Sequence, residues 1–340
     1  MARHKHFYAA FDSLLDRPDD MVRLCEDFGS YGTYAEEPVF EGLGSGLPAR
    51  FDAARNFVRT GGRFGRTTEE FATLVARTNY FRETYAYGDE IRAVGIEPFL
   101  HHAGFLAAAR ELHGRRLVVP AIVFANLLVP GQELAVHTDV PEFRGISRKT
   151  HPQWLIVAMR HSGLFEDWRV PIATGISWFH DCRGGELAFY PDGPQGDPVA
   201  HRVRFNTALL LDTDTVFHGV DRVAETAASV DRLMPGMRLH FGGDRQWVLR
   251  DGEREVNRYA WEEIRFSVSW KAYCFSDEEE RARWFRHGDD LSMEFVVGRL
   301  LDDLKHRGVL AARPDEDRLL VEAIIDTYTR FPEPRPAVAG

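Results

Sequence analysis

Three textures follow one another along the chain. Up to about residue 115, apolar residues recur mostly at helical spacing. A capping box at Thr67-Thr68-Glu69-Glu70 opens Phe71-Ala-Thr-Leu-Val-Ala, and an apolar-periodic stretch from Glu97 to His113 stops at Gly114. Gly42-Leu-Gly-Ser-Gly and Gly61-Gly62 read as loops between helices. From about 116 to 275, β-branched and aromatic runs between turn residues take over. Leu117 to Leu128, Trp154 to Met159, Pro171 to Phe179, Glu186 to Tyr190, Asn206 to Leu211 and Ile264 to Phe275 are predicted strands. Many short strands with Gly, Pro and Asp turns predict a sandwich or barrel, and the jelly roll is one such solution. Helical spacing then returns, with a second capping box at Ser276-Asp-Glu-Glu279 and helices predicted from about Asp290 to His306 and Pro314 to Phe331.

No internal repeat and no linker interrupts this order. The expected organisation is one domain over 1–340: helical support to 115, a β core over 116–275, and C-terminal helices from 276. Of the 340 residues, 44% are hydrophobic, enough for a substantial core. No apolar run approaches the roughly 20 residues that span a bilayer, and the first residues show no apolar segment with a cleavage site, so a cytoplasmic protein without a membrane partner is expected. Cys25, Cys182 and Cys274 are odd in number and unclustered, which suggests neither a disulfide framework nor a thiolate zinc site. A net charge of −10 speaks against a nucleic-acid backbone as the main partner. The glycines carry no phosphate-loop spacing and act as turns.

The chemistry concentrates in His137-Thr138-Asp139 and in a single later histidine, His218. Alternate residues of a strand share a face, so His137 and Asp139 project together and Thr138 points away. Two imidazoles and one carboxylate on one face of an octahedron leave three positions open, the arrangement of non-haem Fe(II) oxygenases. A bare His-x-Asp is usually an ordinary surface or core feature, so its surroundings decide.

Those surroundings resemble one family in order. Asn126-Leu-Leu-Val-Pro-Gly-Gln-Glu-Leu-Ala-Val-His137-Thr-Asp139 resembles the strand, turn and ligand pair of the Fe(II)/2-oxoglutarate-dependent dioxygenases. Gly184-Gly185-Glu186-Leu-Ala-Phe189 is similar to the family's Gly-Gly-Glu turn and strand, and Asn206 to Val220 to the strand pair that delivers the distal histidine. Arg265-Phe-Ser267 resembles the Arg-x-Ser pair that grips the far carboxylate of 2-oxoglutarate in one branch.

The resemblance covers roughly residues 116 to 275. It implies a mainly β core with α, a double-stranded β-helix (jelly roll), flanked by N-terminal and C-terminal helices. It also implies Fe(II) on His137, Asp139 and His218, 2-oxoglutarate on Arg265 and Ser267 with help from Asn126, and O2 as co-reactant. The implied outcome is hydroxylation of a small-molecule substrate, such as an amino acid or natural-product intermediate, or its desaturation or ring closure. Halogenation is not implied, because related halogenases lack the carboxylate that Asp139 supplies. The chemistry of the pair agrees: an arginine offers a planar fork to a carboxylate, and a serine two residues along a strand points the same way.

The 79 residues from Asp139 to His218 resemble the compact prolyl-hydroxylase-like and penicillin-synthase-like branches. The latter share the triad and Arg-x-Ser yet use no 2-oxoglutarate, and a non-catalytic metal-binding sensor on the same fold is a rival of another class. Arg265 comes 47 residues after His218, later than usual, which implies an insertion over 221–263. Its Asp251-Gly252 reads as a hairpin turn, and the insertion is expected either to emerge beside the metal as a substrate lid or to be a decorative loop far from the site. Arg222, Arg232 and Arg238 within it compete with Arg265 as clamp. Arg144, Arg148 and Lys149 follow the ligand pair and form either a charged loop or a contact for an acidic substrate or a carrier-protein phosphate. His151, His161 and His180 lack a partner at strand spacing, and His101-His102, adjacent on a predicted helix, face different ways.

Overall fold

The structure, a computed structural model, describes residues 4–34, 42–48, 50–62, 70–226, 229 and 233–335, with the backbone of 338–339. Eight strands form its centre: β1 (Leu117–Leu128), β2 (Leu134–His137), β3 (Ile172–Trp178), β4 (Leu187–Phe189), β5 (Val199–His201), β6 (Thr207–Leu211), β7 (His218–Val220) and β8 (Arg265–Phe275). In one sheet the neighbours run β6-β3-β8-β1, and in the other β5-β4-β7-β2, all antiparallel. Apart from β4 to β5, each strand passes to the opposite sheet before the next begins. This is the jelly roll, two open sheets rather than a closed barrel.

The large sheet has two differently used faces. On β8 the even residues Phe266, Val268, Trp270 and Ala272 join the main apolar core beneath the N-terminal region. The odd residues Arg265, Ser267, Ser269 and Lys271 face the space between the sheets. Leu128, Ile176, Trp178, Leu209 and Leu211 from the same sheet meet Leu187, Phe189 and Val220 from the small one, each burial contributing roughly 1.5–3 kcal/mol for a large side chain.

Four departures from the expected elements have physical reasons. The N-terminal region is not mostly helical: Tyr8–Phe11, Ser30–Thr33 and Phe81–Tyr87 extend the large sheet, with Phe81–Tyr87 paired to β1. A register shift between Thr84 and Ala86 breaks the period-two alternation that would have marked that strand. The predicted strand Trp154 to Met159 belongs to a helix, Gln153–Ser162; every residue from Gln153 to Met159 is buried, so no periodicity distinguishes helix from strand. That helix packs with Met293–His306 and Asp317–Tyr328 in a separate apolar cluster including Trp154, Leu300, Leu304, Leu320 and Ile324. Third, the helix at 278–286 is capped by Asp277, whose side chain accepts from the Glu280 amide, one residue later than expected. Fourth, Glu97 to His113 is two short helices, Glu97–Leu100 and Ala103–His113, with His102 as N-cap of the second and Gly114 ending it in the left-handed conformation. Thr67, Thr68 and Glu69 lie outside the described residues; Phe71–Arg77 is helical.

The insertion also takes another course. Arg238–Phe241, Gln246–Asp251 and Arg254–Ala260 continue the large sheet beyond Ser30–Thr33, the last two as a hairpin turning at Gly252. No described residue of 221–263 lines either cavity at the His-x-Asp site, so a lid is not what these strands form. Among the described residues, no helix is long and apolar enough to cross a membrane.

Candidate metal centre

Strand register brings the two histidines together. His137 ends β2, His218 begins β7, and the two are direct partners across the ladder with ring centroids 4.4 Å apart. The strands approach closely there: a Cβ on Gly219 would stand 2.8 Å from the Leu134 carbonyl oxygen, so the residue after His218 must be small. Each histidine donates Nδ1–H to the carbonyl two residues back, His137 to Ala135 at 2.7 Å and His218 to Val216 at 3.0 Å. Those bonds leave both Nε2 atoms as acceptors facing Asp139, whose Oδ1 lies 3.5 Å from His137 Nε2 and 3.8 Å from His218 Nε2. Asp139 is tied to the loop before His218 by its own amide, which donates to Thr213.

One ligand atom from each of the three residues lies within 4.8 Å of the others, and this is the one metal-competent cluster of its kind among the described residues. Burial lowers both histidine pKa values, that of His218 to about 3, which keeps the imidazoles in the neutral form a metal requires. Burial alone would raise the Asp139 pKa, but the Lys271 ammonium beside it outweighs this and the carboxyl is held well below its usual range.

Lys271 was not singled out by sequence reasoning. Its Nζ donates to Asp139 Oδ2 at 2.7 Å and to Thr174 Oγ1 at 3.2 Å, so one carboxylate oxygen is fixed and Oδ1 is left toward the histidines. The signal was present: Lys271 shares the odd-numbered face of β8 with Arg265 and Ser267, in a chain with only four lysines.

Farther along that face, Arg265 is buried at 1% exposure. It donates from Nε to the Gly185 carbonyl at 2.8 Å and from Nη1 to Ser267 Oγ at 2.9 Å, and among the described residues no carboxylate pairs with it. Burial lowers its pKa to about 10. Gly185, at φ +71°, makes room for it, since a Cβ there would lie 2.8 Å from Arg265 Cδ. The Gly-Gly turn thus serves the arginine stem. The competing arginines are engaged elsewhere: Arg222 pairs with Glu133 and Arg238 with Glu83, while Arg232 lies outside the described residues. Asn126, opposite Ser267 on β1, accepts from Arg82 Nε at 2.7 Å and donates to Ser269 Oγ at 3.1 Å.

Two cavities meet at the triad. The rear one, about 430 Å³, is lined by Asn126, Thr174, Arg265, Ser267 and Lys271 and reaches His218 and Asp139. The front one, about 520 Å³, is lined by Tyr34, Arg50, Gln153, Arg148 and apolar residues and reaches His137 and Asp139. Tyr80, Arg82, Leu134 and Asp139 border both. Of the basic residues after the ligand pair, only Arg148 lines a cavity, paired with Glu142; Arg144 is bound to Asp289 and Lys149 sits 3.7 Å over the Tyr87 ring. His161 bonds Thr138, His180 packs on Trp261, and His151 bonds Thr150.

No family model matches this chain, and no curated protein does. Among solved structures it is similar to a prolyl-4-hydroxylase of Pseudomonas putida, at 11% identity over 79% of this chain and 94% of that one, TM-score 0.37. A viral collagen prolyl hydroxylase of Paramecium Bursaria Chlorella virus-1 in a 2OG complex matches at 10% identity over 79% and 97%, TM-score 0.36. HygX of Streptomyces hygroscopicus, with nickel and 2-oxoglutarate bound, matches at 10% identity over 78% and 82%, TM-score 0.37. These likenesses are remote, and the functional reading rests on this chain's own residues.

Proposed function

We propose that the chain is an Fe(II)- and 2-oxoglutarate-dependent dioxygenase that oxidises a small molecule. The observation that carries this reading is the convergence of two histidine Nε2 atoms and one carboxylate oxygen beside a buried Arg265-Ser267 pair that no anion among the described residues meets. A buried guanidinium without a carboxylate is costly unless a ligand supplies the missing charge.

His137, Asp139 and His218 would hold the iron, and Arg265 with Ser267 the far carboxylate of 2-oxoglutarate. When bound, the pair couples reduction of O2 and loss of CO2, leaving succinate, to oxidation of a substrate C–H bond. The protein's part is positional. Lys271 and the two backbone carbonyls orient the ligands, while the rear wall of β8 and β1 confines the cosubstrate. Leu134, Tyr80 and Arg82 divide it from the front cavity, where the substrate is oxidised. Asp139 keeps a coordination position that halogenating relatives leave to chloride, so hydroxylation, desaturation or ring closure is the outcome. Two separate compartments favour a cosubstrate plus a substrate over an oxidase whose Arg-Ser pair would grip the substrate itself.

The test is anaerobic titration of apoprotein with Fe(II) and then 2-oxoglutarate. Wild type should develop the weak visible charge-transfer band of the chelate, and His218→Ala should lose it together with at least about a thousandfold of turnover. Iron binding without the band points to the oxidase. Absence of iron binding sinks the proposal, and a band without O2 consumption over a broad substrate screen leaves a sensor.

A further inference from the structure

We infer that the substrate of the front cavity is a carboxylic acid with an aliphatic body, and that Arg82 is its anchor; this rests on the dioxygenase reading. Arg82 is held at one end and unmet at the other. Its Nε donates to Asn126 Oδ1 at 2.7 Å, and that is its one hydrogen bond among the described residues. The guanidinium carbon lies 4.5 Å from the Tyr34 ring centroid, 4.8 Å from that of Tyr80 and 4.5 Å from that of Phe124. Three rings stabilise the cation by their quadrupoles and cover it, but they accept no hydrogen bonds in its plane. The two η-nitrogens therefore present an open fork, the geometry that matches a planar carboxylate.

The other cations of this cavity are neutralised. Arg50 makes two bonds to Asp52, and Arg148 pairs with Glu142 and donates to the Val140 carbonyl. Among the described residues, Arg82 is the cation at the wall between the cavities that no carboxylate pairs with. In the dioxygenase reading the cosubstrate would be met elsewhere, its far carboxylate by Arg265 and Ser267 and its other end by the metal on His137, Asp139 and His218. The front cavity is also lined by Ala53, Ala54, Val75, Ala135 and Val140, which suit an alkyl chain.

Protein loaded with Fe(II) and 2-oxoglutarate under argon is titrated with short aliphatic acids and amino acids, each beside its uncharged primary amide, and read by thermal unfolding and by displacement of the charge-transfer band. At least one acid should raise the melting temperature and displace the band, with its amide at least about tenfold weaker. Arg82→Met should lose that preference while 2-oxoglutarate still forms the band, and Arg82→Lys should keep part of it, which excludes simple misfolding. Equal binding of acids and amides, no binding acid at all, or loss of the band itself in Arg82→Met overturns the inference; the last would make Arg82 a cosubstrate anchor. If wild type forms no band, the dioxygenase reading fails separately, and the acid–amide comparison by unfolding still decides for or against Arg82.

Discussion

The rear and the front of the inter-sheet space each contain an arginine without a carboxylate, yet the two are built differently. Arg265 stands on a strand paired on both sides, β1 and β3, and its direction follows from register alone. The front cavity is assembled from pieces far apart in the chain: Tyr34 after a strand at the sheet's extension, Arg50 before helix Phe51–Thr60, Arg82 on Phe81–Tyr87, and Gln153 at a helix start. In the proposed dioxygenase, the ladder would hold the cosubstrate end of the reaction, and loops and helix ends would shape the part that chooses a substrate. The comparison predicts that damage to the rear is lost cosubstrate affinity, whereas damage to the front is lost discrimination.

The largest effect expected is at Arg265. Arg265→Met should weaken 2-oxoglutarate by at least about a hundredfold, since a charge-assisted fork is lost. The apoprotein should unfold at the same or a higher temperature, because an unpaired buried cation has been removed. Charge-transfer titration and thermal unfolding read the two sides, and a variant that lost stability with unchanged cosubstrate affinity would break the division between rear and front.

Asp214, in the turn between β6 and β7 that leads to His218, offers a test in the apoprotein. It is fully buried, neither carboxylate oxygen has a hydrogen-bond partner, and burial raises its pKa to about 7, with Lys271 and Arg169 opposing and Asp212 and Asp139 adding to the rise. The folded pKa is thus above the unfolded one. Between pH 4 and 7 the folded state keeps a proton that the unfolded chain releases, so this contribution to stability drains away as pH rises. Asp214→Asn should flatten that loss, so its stability relative to wild type should rise steadily between pH 4 and 7. Denaturant unfolding across that range measures it, and parallel pH profiles would show that Asp214 titrates normally.

The smallest effect is expected at Lys271. Lys271→Met removes the ammonium that fixes Asp139 Oδ2, and Fe(II) affinity should fall about tenfold, as for other supporting contacts to metal ligands. Competition against a metal indicator measures this, and unchanged affinity would mean that the backbone contacts of Asp139 suffice.

Much of the rear was legible along the chain. His137 and Asp139 at strand spacing, Gly184-Gly185 and Arg265-Phe-Ser267 are short-range patterns, and a strand's period of two converts them into directions. Lys271 was legible by the same rule and was passed over because a lone lysine in a strand carries no motif. The front was not legible. Tyr34, Arg50 and Arg82 meet His137 only through long-range packing, and the shift beside Thr84 hid the strand that carries Arg82. The insertion misled for the same reason: its hairpin was readable at Asp251-Gly252, but which sheet edge it would join was not.

The sequence by itself marked most of the central strands and put His137 with Asp139, and Arg265 with Ser267, at the spacing that shares a strand face, because local periodicity and turn chemistry act between near neighbours; the metal and cosubstrate roles of those residues were implied by resemblance. Tertiary structure alone decided three things: that His137 and His218 are ladder partners, that Gln153–Ser162 is a helix, and that Arg82 meets three rings and no carboxylate. Those outcomes depend on which distant surfaces bury one another, and burial depends on the surrounding volume, to which many parts of the chain contribute.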